Sequence, residues 1–285
     1  MSTNSNVESR REEMLSKVHT AGSLPAIAMK VRQMAADPEV DFKKLAELIR
    51  YDPSITANIL GVANMGRATG GEQVYSVKAA IVRLGTRRIM KIVLGLAMAP
   101  VLNSKVDGYG MASGELWKHC VGVAICAEKL AVKLRMKAPE YCFTAGLLHD
   151  IGKVVIGSQL KDEEQEKIAK LVEKEGMAYN EAEQAVLGID HAEIGTHLIE
   201  NWQLPEEYSL AVRYHHEPDK VEVDDPAVPL IHVADLLCLS AGVGMGSDGL
   251  NYKSAANIVE DLNLTHQIIE SAVCETMFDL SEFEL

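Results

Sequence analysis

Along most of the chain apolar residues recur at the three- and four-residue spacing of an amphipathic helix, and period-two alternation is scarce. Ile27, Val31 and Met34 form a stripe that stops at Asp37–Pro38; Phe42, Leu45, Leu48 and Ile49 form the next, with Asp41 as its N-cap. Asp52–Pro53 is a start signal, because Asp caps and proline suits the first helical turn, and the helix it opens carries Ile55, Ile59, Leu60 and Val62. Gly66 to Gly71 reads as a loop. Ser76 caps a short helix that breaks at Gly85, and Thr86 caps one running toward Pro100. Val101 to Gly114, with Asp107-Gly108-Tyr109-Gly110, reads as a linker. Beyond it the pattern predicts helices over Glu115–Lys137, Pro139–Leu148, Asp162–Glu175, Asn180–Leu187, His191–Asn201, Pro205–His216 and Pro229–Ser240, and a last pair after Lys253. The expectation is an all-α protein. It divides into a polar lead-in over 1–18, an N-terminal helical subdomain over 19–106, a second helical subdomain over 107–240 and C-terminal helices over 241–285.

Composition narrows this picture. Of 285 residues 47% are hydrophobic but only 5% aromatic, so the core is built from Ala, Leu, Ile, Val and Met, most of which favour helices. The net charge of -13 repels a polyanion and argues against nucleic acid as a general partner. Arg83, Arg87, Arg88 and Lys91 cluster within two turns, and a solvated face is the plainer reading of them. Ile92 to Leu102 is too short to span a bilayer and carries Pro100. Pro226 to Gly246 is long enough but holds His232 and Asp235 at its middle, which is costly in lipid. No apolar signal segment follows Met1, so a soluble, cytoplasmic protein without membrane contact is expected. The five cysteines form no Cys-x-x-Cys pair, and four lie in apolar helical patterns as reduced, buried thiols.

Chemistry concentrates in the histidines, most of which fall between residues 119 and 232. Glu115 and His119 stand four apart on one predicted helix and share a face. His149–Asp150 closes an apolar run, His191 opens a helix, His215–His216 ends one, and Asp235 lies inside another. Each alone has a plain explanation: Glu115 as a first-turn acid, Asp235 as a satisfied buried polar group, His197 and His266 as surface residues. As a series they are more ligands than one tetrahedral zinc needs, and they suit two metals sharing a carboxylate. Imidazole with carboxylate fits Fe, Mn, Ni or Zn, whereas oxygen-only sets suit Mg or Ca. The expectation is one or two divalent transition metals per chain, with Fe or Mn favoured. Such a pair can activate a water and clamp a phosphoryl oxygen. Asp150 and Lys153 are the residues expected to take part in chemistry, Lys153 by neutralising charge on phosphate.

The stretch Ala145-Gly146-Leu147-Leu148-His149-Asp150-Ile151-Gly152-Lys153 resembles the signature of the HD superfamily of metal-dependent phosphohydrolases. Further features widen the likeness to the HDOD family, a bacterial signal-transduction branch: Leu24–Pro25, Asp52-Pro53-Ser54-Ile55-Thr56, Ala63–Asn64, Ser76 to Ile81 with Leu84–Gly85, Leu116–Trp117, His191 to Gly195, Trp202 with Leu204–Pro205, and His215–His216. The resemblance covers about residues 20 to 240. It implies an HD-type helical core beside an N-terminal helical subdomain. It also implies metal ligation by Glu115, His119, His149, Asp150, His191, His215, His216 and Asp235, a set ordered as in the HD-GYP phosphodiesterases of cyclic di-GMP. Two departures stand out. After His216 the chain runs Glu217-Pro218-Asp219-Lys220-Val221 without a Gly-Tyr-Pro loop, and Met65 follows Asn64 where the family carries a small polar residue. The resemblance therefore implies a regulatory module for a signalling partner or a small phosphorylated ligand, with phosphodiesterase activity on a nucleotide as the alternative and room for an oligomer.

Overall fold

The computed structural model describes residues 2–18, 25–35, 44–46, 49, 53–64, 73–139, 141–223 and 225–281. Among these residues the protein is helical with no strand, its sole β-type pairing an isolated bridge between Val106 and Met111. Two compact units emerge: Leu24–Pro100 with Phe278–Leu285, and Met1–Ser23 with Val101–Met277.

The first unit contains α2 (Ala26–Ala35), α3 (Pro53–Asn64), α4 (Val77–Leu84) and most of α5 (Thr86–Leu102). Ile55, Ile59 and Val62 of α3 are buried, as are Val77, Ala80 and Ile81 of α4. Ser76 caps α4 by accepting from the Ala79 N–H, and Gly85 ends it at φ 81, as the pattern predicts. Asn64 shows why an amide suits the end of α3: it donates to the carbonyls of Leu60 and Val74, at 2.8 and 2.9 Å, and accepts from the Val74 N–H at 2.8 Å. Helix α5 runs through Pro100 to Leu102 instead of stopping before it. Asp37, Pro38, Asp41, Phe42, Leu48, Asp52, Met65 and the Gly66–Gly71 loop lie outside the described residues.

The second unit opens with α1 (Ser2–Val18), the expected polar lead-in, and this helix is docked. Arg10, 8% exposed, grips both carboxylate oxygens of Glu164 at 2.8 Å and the Gln159 carbonyl at 2.7 Å. Arg11 pairs with Glu193 and donates to the Gly188 carbonyl. The body of the unit comprises α6 (Glu115–Lys133), α7 (Cys142–Leu148), α8 (Gly152–Gln159), α9 (Asp162–Glu175), α10 (Tyr179–Leu187), α11 (His191–Asn201), α12 (Glu206–Tyr214) and α13 (Ala227–Ser240), then α14 (Ile258–Asp261) and α15 (His266–Leu280). Helix α6 lies between α13 and α7, and α11 between α12 and α8. The sequence pattern leaves out α8, whose Gly152 and Gly157 lower helix propensity. Both glycines are there for close approach: a Cβ on Gly152 would stand 1.9 Å from the His191 carbonyl oxygen, and one on Gly157 2.1 Å from Val106 Cγ1. The segment expected as a linker after Val101 holds a short 3-10 turn, Asp107–Tyr109, whose Tyr109 is fully buried. Four cysteines are buried and Cys274 is exposed. No described helix is long and apolar enough to cross a membrane.

Candidate metal centre

The site assembles where α6, α7, α11, α12 and α13 converge. His119 lies one turn into α6, His149–Asp150 at the turn between α7 and α8, His191 at the first position of α11, His215–His216 just past α12, and Asp235 midway along α13. Two glycines in the recognised motif set the spacing. Besides Gly152 against α11, Gly146 lets α7 approach α6, since a Cβ there would lie 2.9 Å from Ala124 Cα. Asp190 caps α11, accepting from the Glu193 N–H, and so fixes the start of the helix at His191.

Four imidazoles are held the same way. Nδ1 faces the Val243 carbonyl in His119 (3.1 Å), the Gly146 carbonyl in His149 (2.7 Å), the Val212 carbonyl in His215 (2.7 Å) and the Glu183 carboxylate in His191 (2.7 Å). Each of these acceptors needs the ring proton on Nδ1, which turns the Nε2 lone pair inward in the neutral ring. The inward atoms meet carboxylate oxygens. Asp150 Oδ2 is 3.5 Å from His119 Nε2 and 3.3 Å from His149 Nε2, while its Oδ1 is 3.4 Å from His191 Nε2 and 3.7 Å from His215 Nε2. Asp235 Oδ1 is 3.0 Å from His119 Nε2 and 3.8 Å from His149 Nε2, and its Oδ2 is 3.9 Å from His216 Nδ1.

Nε2 of His119, His149 and His215 and Oδ1 of Asp150 are buried without an aligned hydrogen-bond partner, and Asp150 Oδ2, though ion-paired with Lys153 at 2.7 Å, makes no aligned hydrogen bond either. Orphaned buried acceptors are costly and call for an explanation. A cation supplies one, because N and O ligands bound at about 2.0–2.2 Å to one ion stand roughly 3–3.5 Å from each other. The ligand atoms fall into overlapping groups, each within 4.8 Å: Asp150, His191, His215 and His216; His119, His149 and Asp150; His149, His215 and Asp235. This buried His/Asp cluster is able to hold a metal ion. Glu115 is not in it. It is a partly exposed first-turn acid of α6, and it meets the site through its backbone, which packs against Gly244.

Electrostatics point the same way. Asp150, Glu183, Asp235 and Asp248 are buried around one buried ammonium, Lys153, an excess of negative charge that a cation would offset. Burial opposes charge on Asp150, but Lys153 and His149 outweigh it and hold its pKa well below the carboxylate range. For Asp235 burial is likewise outweighed, chiefly by His119, and its pKa falls to about 2. Burial and neighbouring imidazoles push His215 and His216 well down, which keeps both neutral as metal ligands must be. Burial also lowers His119 and His191, but Asp235 and Asp150 beside the first, and Glu183 beside the second, leave them raised.

The structure adds a layer of residues that the ligand pattern does not contain. Glu183, fully buried on α10, accepts from the His191 N–H at 3.0 Å as well as facing its ring, and Tyr109 donates to its other oxygen. Its signal in the sequence is positional: Glu183 is four residues from both Tyr179 and Leu187 on the buried stripe of α10. Lys153 Nζ lies 2.7 Å from Asp150 Oδ2 and 2.6 Å from Asp248 Oδ2. Tyr252 stacks on His216 with ring centroids 4.2 Å apart and planes at 10°. His232 is structural, bridging the His215 carbonyl and the Ala255 N–H.

With this geometry in view, the sequence profile of the HDOD domain family matches residues 22–218. The chain belongs to the HDOD family. An uncharacterized protein of Treponema pallidum (strain Nichols) is 24% identical over 218 residues, 75% of this chain, and this HDOD chain spans only 41% of that relative's length. Among solved structures, an HDOD domain protein with unknown function from Geobacter sulfurreducens superposes with a TM-score of 0.72 at 24% identity, covering 94% of this chain and 87% of that one. A candidate signal-transduction protein from Marinobacter aquaeolei VT8 gives 0.67 at 21% identity (98% and 64% covered), and a candidate metal-dependent phosphohydrolase from Shewanella amazonensis SB2B gives 0.65 at 18% (98% and 99%). These likenesses establish a shared fold.

Proposed function

We propose that this HDOD chain is a signal-transduction module whose helical second unit holds a divalent transition-metal centre, and that it acts by binding a partner or a small phosphorylated ligand. The observation that carries the metal is the set of inward-facing, unpartnered Nε2 atoms around Asp150. Asp150 with His119 and His149 would form one half of the centre, and Asp150 with His191, His215 and His216 the other, so that one carboxylate is shared by two ions. Asp235 borders both. Mixed imidazole and carboxylate ligation suits Fe, Mn, Ni or Zn over Mg or Ca, with Fe or Mn as the reading adopted. A bound ion would supply Lewis acidity and an acidified water. The chain's own groups would orient the ligands, exclude water and place the Lys153 charge beside Asp150. Binding is favoured over turnover because Lys153, the residue available to phosphate, is already neutralised by two carboxylates and is 1% exposed. The first unit offers a surface for a partner: Tyr75 and Val82 are 78% and 82% exposed, the latter lining a hollow of about 550 Å³ with Val74, Lys78 and Arg83.

Phosphohydrolase activity is the second reading, favoured by the breadth of the His/Asp set and the position of Lys153. The two are separated by assaying metal-replete protein against cyclic dinucleotides, nucleotides and a generic phosphodiester. Full metal occupancy without turnover is the expected result. Repeated turnover that disappears in Asp150→Ala would replace the regulatory reading with the enzymatic one.

A further inference from the structure

The segment between α13 and α14 closes the site, and it is built to fit. Gly244, at φ 61, lies where a Cβ would stand 2.2 Å from the Glu115 carbonyl oxygen and 2.7 Å from His119 Cβ. The Val243 carbonyl receives His119 Nδ1, and the Ser247 N–H donates to the Tyr109 carbonyl at 2.6 Å. Gly246 packs equally close to Tyr109, its missing Cβ 2.5 Å from that carbonyl. Together these contacts deliver Asp248, fully buried, to Lys153. Tyr252 donates to the same Asp248 oxygen at 2.8 Å and covers His216 with its ring, while the Asn251 carbonyl accepts from the Tyr179 N–H.

We propose that residues 243–252 form a strap that occludes the metal site, and that Asp248 is an internal anion occupying the place at Lys153 that an oxyanion ligand of the phosphoryl class would take. The inference rests on the metal-centre reading and deepens it by naming what controls access. A carboxylate and a phosphoryl group offer an ammonium the same thing: ionised oxygens that accept charge-assisted hydrogen bonds. Exchange needs the strap to lift, and its composition allows that. Gly242, Gly244 and Gly249 hold positive φ, Met245, Ser247 and Leu250 are exposed, and the backbone hydrogen bonding inside the segment is a single turn, the Asn251 N–H to the Asp248 carbonyl at 3.1 Å. When only a minor open population can bind, the apparent Kd rises by the inverse of that population. The strap thereby sets the threshold at which an anionic ligand is felt.

The test uses full-length, metal-loaded protein and inorganic phosphate as probe, titrated calorimetrically beside a generic phosphodiester. Asp248→Ala should bind phosphate about tenfold more tightly or better than the parent, the ratio expected if the open form is at or below roughly a tenth of the population. Adding Lys153→Met should abolish the gain. If the phosphodiester shows the gain and phosphate does not, the ligand is a phosphodiester and the strap still holds. Equal affinities of parent and Asp248→Ala for both probes, at equal metal content, overturn the strap. Hydrogen exchange on the unmutated protein provides a reading independent of how the variant folds: saturating probe should speed amide exchange across 243–252. Unchanged exchange with the probe bound would also overturn the proposal. Metal analysis of the same samples keeps the two ideas apart, since a parent chain that holds no metal defeats the metal-centre reading, whereas a metal-replete chain indifferent to Asp248 defeats only the strap.

Discussion

Glu183 stands to His191 as carboxylates stand to ligand histidines in many metal sites: it fixes the tautomer, orients the ring and raises its basicity. Replacing it with glutamine keeps an acceptor for the His191 N–H but removes the charge. Glu183→Gln should weaken metal binding about 10–100-fold, read by competition with a chromophoric chelator, and Tyr109→Phe should do less because it leaves the Glu183–His191 contact in place. An affinity unchanged in Glu183→Gln would make the carboxylate merely structural. At this scale the His and Asp residues of the cluster stood out in the sequence because a His–Asp pair with histidines on either side is chemically conspicuous. Their supports were not. Tyr109 falls in a glycine-rich stretch that resembles a linker, and Asp248 and Tyr252 lie in a segment with no period at all. Glu115 differs from the clustered residues: it shares a face with His119, but it is its backbone that packs there and it lies outside the grouped side chains.

Among the elements, α8 is the instructive omission. Its glycines read as helix breakers, yet they allow two helices to pack at a distance no side chain would permit. Gly152 brings α8 against the start of α11 and so sets the distance between Asp150 and His191. Gly152→Ala should cost about 1–3 kcal/mol by overpacking, seen as a lower urea midpoint with an unchanged slope, and should weaken metal binding in parallel. Retained stability would mean that α11 can retreat without consequence. Periodicity located the longer helices because their buried stripes are apolar, as on α6. It does not locate elements whose place is set by what they touch, and the docking of α1 through Arg10 and Arg11 is another of these.

For the molecule as a whole, the electrostatics predict how metal and protons compete. With the ion absent, His119 and His191 have raised pKa values and so hold protons to higher pH than a free histidine, which titrates near about 6.5. Loading the site must expel those protons, so apparent metal affinity should fall as pH is lowered through the neutral range, and binding in weakly buffered solution should release protons. Affinity independent of pH between about 6 and 8 would contradict the assignment of these two histidines as ligands. Most of the helical architecture could be read from spacing alone. What spacing could not supply was which surfaces the helices turn toward each other, and that is what brings seven scattered His and Asp side chains into one cluster. That cluster is the proposed metal centre, and the most direct measurement of it is elemental analysis of the purified chain after loading with Fe(II) or Mn(II) and removal of excess ion. The expected result is one to two transition-metal ions per chain, lost in Asp150→Ala while the far-UV helical signal is kept; a wild-type chain that retains none, or an Asp150→Ala chain that retains as much, would contradict it.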